Sequence, residues 1–287
     1  MNAIGIQDEV RETSNQMEKG ALMQHVISKD GTKIAYEKSG NGAALILVDG
    51  AFGTRKFGPN GDLAKLLTEH FTVYTYDRRG RGDSGDTPPY TVEREVEDLD
   101  ALIQVAGGSV LLYGISSGAG LALEAARQGL SIKKLAIFEA PYFLDDSRAP
   151  LPADYMAQMR TLTKADKRGD LVKLFMTKGV GVPAIFVFMM RFMPAWSKLK
   201  SVAHTVLYDS MIVEPYQHGK PLSPQEWASV SMPTLVTVGG KSPDWMRNGM
   251  QSLAETLPDA KLVTLPGQTH IVKVEALAPE LINFLRA

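Results

Sequence analysis

The stretch Gly114-Ile115-Ser116-Ser117-Gly118 carries the chemistry most readily read from this chain. A serine in the pattern G-x-S-x-G can act as a nucleophile when a strand runs into it and a helix leaves it. Such a turn forces its central residue into a strained backbone conformation, and bulk two residues to either side would clash. Val110–Tyr113 before it is an apolar run of strand length, and Ser117–Gln128 after it reads as a helix. Ser116 Oγ then stands over a helix N-terminus, where free N–H groups and the helix dipole favour a developing negative charge. Ser117 lacks a glycine two residues before it and is the weaker nucleophile. Its backbone N–H is better placed as a donor to an oxyanion. Gly120 is expected to let the helix approach the sheet.

A second glycine cluster is a decoy. Gly80-Arg81-Gly82-Asp83-Ser84-Gly85 matches G-x-G-x-x-G after a strand-like run. A dinucleotide site needs a helix that starts inside the glycine run. Here Asp86-Thr87-Pro88-Pro89 intervenes, and the next helix begins only near Thr91. The segment reads as a structural turn, with Asp77 and the arginines Arg78, Arg79 and Arg81 in hydrogen-bonded pairs.

The elements around these motifs alternate. Short β-like runs at Gln24–Ser28 and Lys33–Lys38 flank an Asp-Gly turn. Strands follow at Ala44–Val48, Thr72–Tyr76, Val110–Tyr113, Lys134–Phe138, Thr234–Val238 and Ala260–Leu265. Between and after them lie helical patterns at Asp62–His70, Thr91–Ala106, Ser117–Gln128, Asp244–Leu257 and Ala276–Arg286. This predicts an α/β fold: a mostly parallel eight-stranded sheet with helices on both faces. The charged face of the second helix, Glu93, Arg94, Glu97, Asp98 and Asp100, reads as solvated. Some eighty residues after Phe138 hold no clear strand and are rich in Met, Phe, Leu and Pro. The division is therefore an N-terminal extension at 1–23, a core at 24–141 and 223–287, and an inserted helical cap at 142–222.

Composition removes several classes of function. Of 287 residues 44% are apolar, enough for a substantial core. Lys and Arg number 31 against 32 Asp and Glu, so no nucleic-acid partner and no anionic membrane partner is expected. The chain has no cysteine, which excludes disulfides and thiolate catalysis. The polar N-terminal segment reads as a tail or short lead-in helix and lacks the features of a secretory signal. The apolar run Val182–Met190 is far below the roughly 20 residues of a membrane span. A cytoplasmic location is expected, and the oligomeric state is open, a homo-oligomer included.

Over residues 25–287 the chain resembles the α/β-hydrolase superfamily. Four segments carry the resemblance: GISSG at the elbow; Val48-Asp49-Gly50-Ala51-Phe52-Gly53, like the family's H-G oxyanion segment; YDRRGRGDSG, like its D-x-R-G-x-G-x-S turn; and LPGQTH, which ends in His270. The resemblance implies a Ser–acid–His triad and a cap that shapes the substrate pocket. Ser116 takes the place of the nucleophile. Of five histidines only His270 follows the acid candidates at a strand's C-terminal edge, in the order Ser…acid…His that the fold requires. The N–H groups of Ala51 and Ser117 take the place of the oxyanion hole. Two departures stand out. Asp49 replaces the usual His. The acid is displaced as well: the family places Asp shortly after the glycine ending the seventh strand, and Asp244 arrives later than that. Glu139, at the end of the sixth strand, is the alternative acid; Asp244 is preferred.

These residues imply that His270 deprotonates Ser116, which attacks an acyl carbonyl, with water releasing the acyl group. No metal and no organic cofactor is called for. The expected function is a serine hydrolase of the carboxylesterase class, cleaving a small, apolar ester or lactone. Phe52, Tyr142, Phe186 and Met189 are the expected substrate-binding residues. A thioesterase, a carbon–carbon bond hydrolase, a perhydrolase or haloperoxidase-type activity, and a non-catalytic small-ligand-binding protein are the alternatives. Dehalogenase and epoxide hydrolase chemistry would need a carboxylate where Ser116 stands.

Overall fold

The computed structural model describes residues 22–287. The N-terminal tail or helix, and all but the end of the extension at 1–23, lie outside the described residues. The strands are β1 (Gln24–Ile27), β2 (Lys33–Ser39), β3 (Ala43–Val48), β4 (Phe71–Tyr76), β5 (Val110–Ile115), β6 (Ile132–Phe138), β7 (Thr234–Gly239) and β8 (Ala260–Leu265). They form one sheet in the order β1-β2-β4-β3-β5-β6-β7-β8. β1 pairs with β2 and β2 with β4 in antiparallel fashion, and every later pair is parallel. The eight-stranded, mostly parallel sheet is the one predicted.

Alternate residues of each central strand face opposite sides. Leu45 and Leu47 of β3 pack with α1 (Asn60–Leu67) through Leu63 and Leu67. Ile46 and Val48 face the other way, toward α2 (Val92–Val105) and α3 (Ser117–Arg127). Both faces of β3 and β5 are therefore apolar, which is why these strands read as continuous hydrophobic runs. From β3 the chain crosses to β4 on one side, and it later enters β5 on the other. The C-terminal ends of β3 and β5 thus flank the crevice where open α/β sheets place their sites.

The segment between β6 and β7 is an inserted helical cap. It contains α4 (Tyr155–Lys164), α5 (Arg168–Leu174) running into a π-helical turn at Phe175–Val180, α6 (Ala184–Met190), α7 (Ala195–Ser201) and α8 (Val206–Val213). Met159, Leu171, Val172, Val187, Leu199 and Val206 give it an apolar cluster of its own. The short α9 (Pro224–Trp227) returns Trp227 to the main core, and α10 (Asp244–Thr256) and α11 (Val274–Arg286) complete the layers. Among the described residues no helix is long and apolar enough to cross a membrane.

The decoy glycine turn is held by buried ion pairs. Asp77 accepts from the Arg55 side chain and backbone N–H, not from the arginines that follow it. Arg79 forks onto Asp98 and reaches Asp30. Asp98 is therefore buried, contrary to the solvated face expected of it. Burial pushes its carboxyl up to about 6 against the pull of Arg79. Arg78 forks onto Glu95 of the same helix. Across the cap boundary, Asp209 of α8 accepts from Arg78 at 2.6 Å and from Arg81 at 2.7 Å. Burial alone would raise the Asp209 carboxyl, but Arg81 and Arg78 bring it below its ordinary value. These guanidinium groups also donate to the carbonyls of Asp49 and Gly50. The cap, the arginine turn and the segment after β3 are thus tied at one point.

Candidate active site

Ser116 follows β5 and precedes α3 with φ 56° and ψ −127°. An L-residue held there costs roughly 1–3 kcal/mol, a strain that surrounding packing must impose. The glycines show how closely that packing fits. A Cβ at Gly114 would lie 2.4 Å from the Gly118 carbonyl oxygen, and one at Gly118 would lie 2.5 Å from the Val48 and Asp49 carbonyl oxygens. Gly118 is therefore the contact between helix and sheet. Gly120, expected in that role, instead faces Ile212 and Val213 of the cap helix α8.

His270 follows β8 in a loop and places Nε2 3.2 Å from Ser116 Oγ. Its Nδ1 lies 2.7 Å from Glu139 Oε2. Glu139 sits one residue past β6, with φ 49°, and is 0% exposed. Its other oxygen accepts from the Gly239 N–H at 2.7 Å and from Ser242 Oγ at 2.5 Å. Both carboxylate oxygens are thereby engaged, which a buried carboxylate requires. The preferred acid, Asp244, is elsewhere. It opens α10 with its side chain 75% exposed and pairs with Arg247. The loop Gly239–Ser242 explains the exchange: it spends its donors on Glu139, and by Pro243 the chain has turned outward into the helix.

The segment after β3 passes close to the serine. A Cβ at Gly50 would lie 2.9 Å from Ser116 Cβ. Among the described residues no acceptor takes the N–H of Ala51 or that of Ser117. The Ser117 hydroxyl is committed elsewhere, donating to Asp209 at 2.7 Å. The lone carboxylate in the apolar stretch Val206–Val213 was the available sign of Asp209, since a charge on a buried helix needs a partner.

A cavity of about 170 Å³ opens over these groups. Ser116, Ser117 and His270 form its floor, and Tyr155, Phe175 and Val213 are among its cap walls. None of the four residues expected to bind substrate lines it. Tyr142 is fully buried in the main core against Tyr216 and Trp227. Phe52 lies one layer behind the wall, edge-on to Phe175. Phe186 and Met189 point to solvent, because α6 packs on the cap through Val187 instead. Tyr155, with its hydroxyl 3.3 Å from Ser210 Oγ, and Arg148 are among the wall residues missed by the sequence reading.

Asp49 is buried beneath the segment that carries Ala51, and its Oδ1 has no hydrogen-bond partner. Burial pushes its carboxyl up to about 7, against the fields of Arg81 and Arg78. An acid whose folded pKa is raised binds protons more tightly when folded. Stability is then fully present below the unfolded value near 4 and declines as pH rises toward 7. Over pH 5 to 8 the wild type should lose about 2.5 kcal/mol relative to Asp49→Asn, at ~1.4 kcal/mol per pH unit up to the folded value. Urea unfolding of both proteins at the two pH values measures this. Parallel responses would show that Asp49 does not titrate in that range.

An open, mostly parallel sheet, an elbow after its central strand and a helical cap over the crevice define the architecture of an α/β hydrolase. The chain belongs to that family: residues 48–280 match the family model described as the alpha/beta hydrolase family. An alpha/beta hydrolase from Sphaerobacter thermophilus is 51% identical and has a TM-score of 0.84, over 91% of this chain and 100% of its own. An esterase from Exiguobacterium antarcticum shares the fold at 20% identity and a TM-score of 0.69, over 93% of this chain and 100% of that one. The enol-lactonase from Burkholderia xenovorans does so at 17% and 0.68, over 92% and 100%.

Proposed function

We propose that this protein is a serine hydrolase that cleaves small carboxylic esters or lactones through an acyl-enzyme on Ser116. The observation that carries the reading is the continuous relay Ser116–His270–Glu139 at the floor of the cavity. Glu139 accepts a hydrogen bond from Nδ1–H, which leaves Nε2 as the base facing Ser116 Oγ. As Oγ attacks the acyl carbon, the proton passes to Nε2 and Glu139 stabilises the imidazolium. The carbonyl oxygen takes up negative charge beside the unengaged N–H groups of Ala51 and Ser117 and the N-terminus of α3. The imidazolium then protonates the leaving alkoxide. Water, deprotonated in turn by His270, attacks the acyl carbon and frees Ser116.

The esterase and the enol-lactonase noted above support the substrate class. The mainly apolar walls suit a substrate with an apolar body. The non-catalytic alternative rests on the displaced acid, and the buried contact of Glu139 with His270 weighs against it. A fluorophosphonate tests the reading. It should add one phosphonyl group, located on Ser116 by peptide mass mapping. Absence of labelling at pH 7–8 would count against a serine nucleophile. For a labelled protein, turnover on an ester and lactone panel set against a diketone panel separates ester from carbon–carbon bond hydrolysis.

A further inference from the structure

We propose that Arg148 anchors a carboxylate on the substrate, so that the ester or lactone cleaved here is itself an acid. This rests on the serine-hydrolase reading and names its substrate class. Arg148 lines the same cavity as Ser116 and His270. Its guanidinium rests against two neighbouring rings, 4.1 Å from the Phe143 centroid and 4.6 Å from that of Trp245, which themselves meet edge-on. Nη2 donates to the Gly179 carbonyl at 2.7 Å and to that of Lys178 at 3.3 Å. The group is thus held by the aromatic pair on one side and by carbonyls along one edge.

What the group lacks is an acid. Arg55, Arg78, Arg79 and Arg81 are all buried, and each is paired with one or more carboxylates. Among the described residues none lies within ion-pair distance of Arg148, and its Nε and Nη1 donate to no protein acceptor. Two nearby acids are committed elsewhere: Asp145 to Ser147 and Asn248, and Asp209 to Arg78, Arg81 and Ser117. Burial holds the Arg148 guanidinium below its ordinary value, and only the Tyr155 phenol opposes this. A half-buried cation with no counter-charge costs free energy. An anion in the cavity would supply the missing charge. The unused N–H groups belong to a rigid planar fork, the geometry that matches a planar carboxylate.

Two pairs of esters test this, each differing by one carboxylate: monomethyl glutarate against methyl pentanoate, and 4-acetoxybutanoate against butyl acetate. The first pair carries the charge on the acyl side and the second on the alcohol side. In at least one pair kcat/KM should favour the acid at least tenfold. Arg148→Met should reduce that preference about 10- to 100-fold, mainly through KM. Arg148→Lys, which keeps the charge and loses the fork, should retain part of it, and 0.5 M NaCl should weaken it in the wild type. Circular dichroism establishes that the variants fold alike. A preference near one in both pairs, or a preference that survives Arg148→Met, overturns the assignment. Fluorophosphonate labelling alongside such a result would leave the serine-hydrolase reading standing. Failure of both labelling and ester turnover would take down that reading and this inference with it.

Discussion

Ser116→Ala should abolish ester turnover, with a loss on the order of 10⁴- to 10⁶-fold in kcat, while circular dichroism and thermal unfolding change little. Members of a triad act as a unit, so removing the nucleophile leaves only what the oxyanion hole and substrate binding supply. The fold should tolerate the change because Ser116 Oγ makes its contact with His270 at the cavity floor rather than in the core. Alanine must still adopt φ near 56°, but the wild-type serine bears the same strain. Ser117 is the adjacent rival. Its hydroxyl donates to a buried Asp209 that Arg78 and Arg81 also hold, so it points away from the relay. Fluorophosphonate labelling should disappear together with turnover. Retained turnover, or labelling transferred to Ser117, would remove Ser116 from the mechanism.

Features set by local chain geometry were legible in the sequence, and features set by distant partners were not. The elbow falls in the first group: strand, two close-packed glycines and helix all lie between Val110 and Arg127, and each demands the others. The buried strands were legible for the same reason, since both faces of β3 and β5 are apolar. Asp98 falls in the second group. On a helix it looks like its solvated neighbours, and only Arg79 arriving from β4 makes it a buried counter-ion. Tyr142 stands against Gly120 in the helix after the elbow, yet Tyr216 and Trp227, some 70 to 90 residues further on, bury it. The cap shows the limit most sharply. Phe186 and Met189 have the composition of a pocket wall, but the orientation of α6 is decided by how Val187 packs, which no helical period in the sequence fixes.

The acid is the sharpest of these cases, and it yields the second large effect. Glu139→Gln should cost on the order of 10⁴-fold in kcat, and Asp244→Asn should cost severalfold at most. Glutamine keeps the size of the side chain, so packing around position 139 is preserved. It offers an amide where His270 Nδ1–H needs a charged acceptor. If its NH₂ faces the ring, the imidazole is held in the tautomer that presents Nε2–H to Ser116 and cannot take the serine proton. The trypsin-like triad loses about 10⁴ in rate by the equivalent change of carboxylate to amide. The amide also weakens the bonds that Glu139 accepts from Gly239 and Ser242, so some loss of stability should accompany the loss of rate. Asp244 gives up only an exposed pair with Arg247 and a negative charge in the first turn of α10. Such groups contribute about 0.3–1 kcal/mol to a helix and nothing to a relay they do not touch. Turnover of the two variants on one ester, with folding checked by circular dichroism, decides the matter. A dead Asp244→Asn beside an active Glu139→Gln would return the acid to the loop after β7, and His270 would then have to swing away from the carboxylate it contacts here.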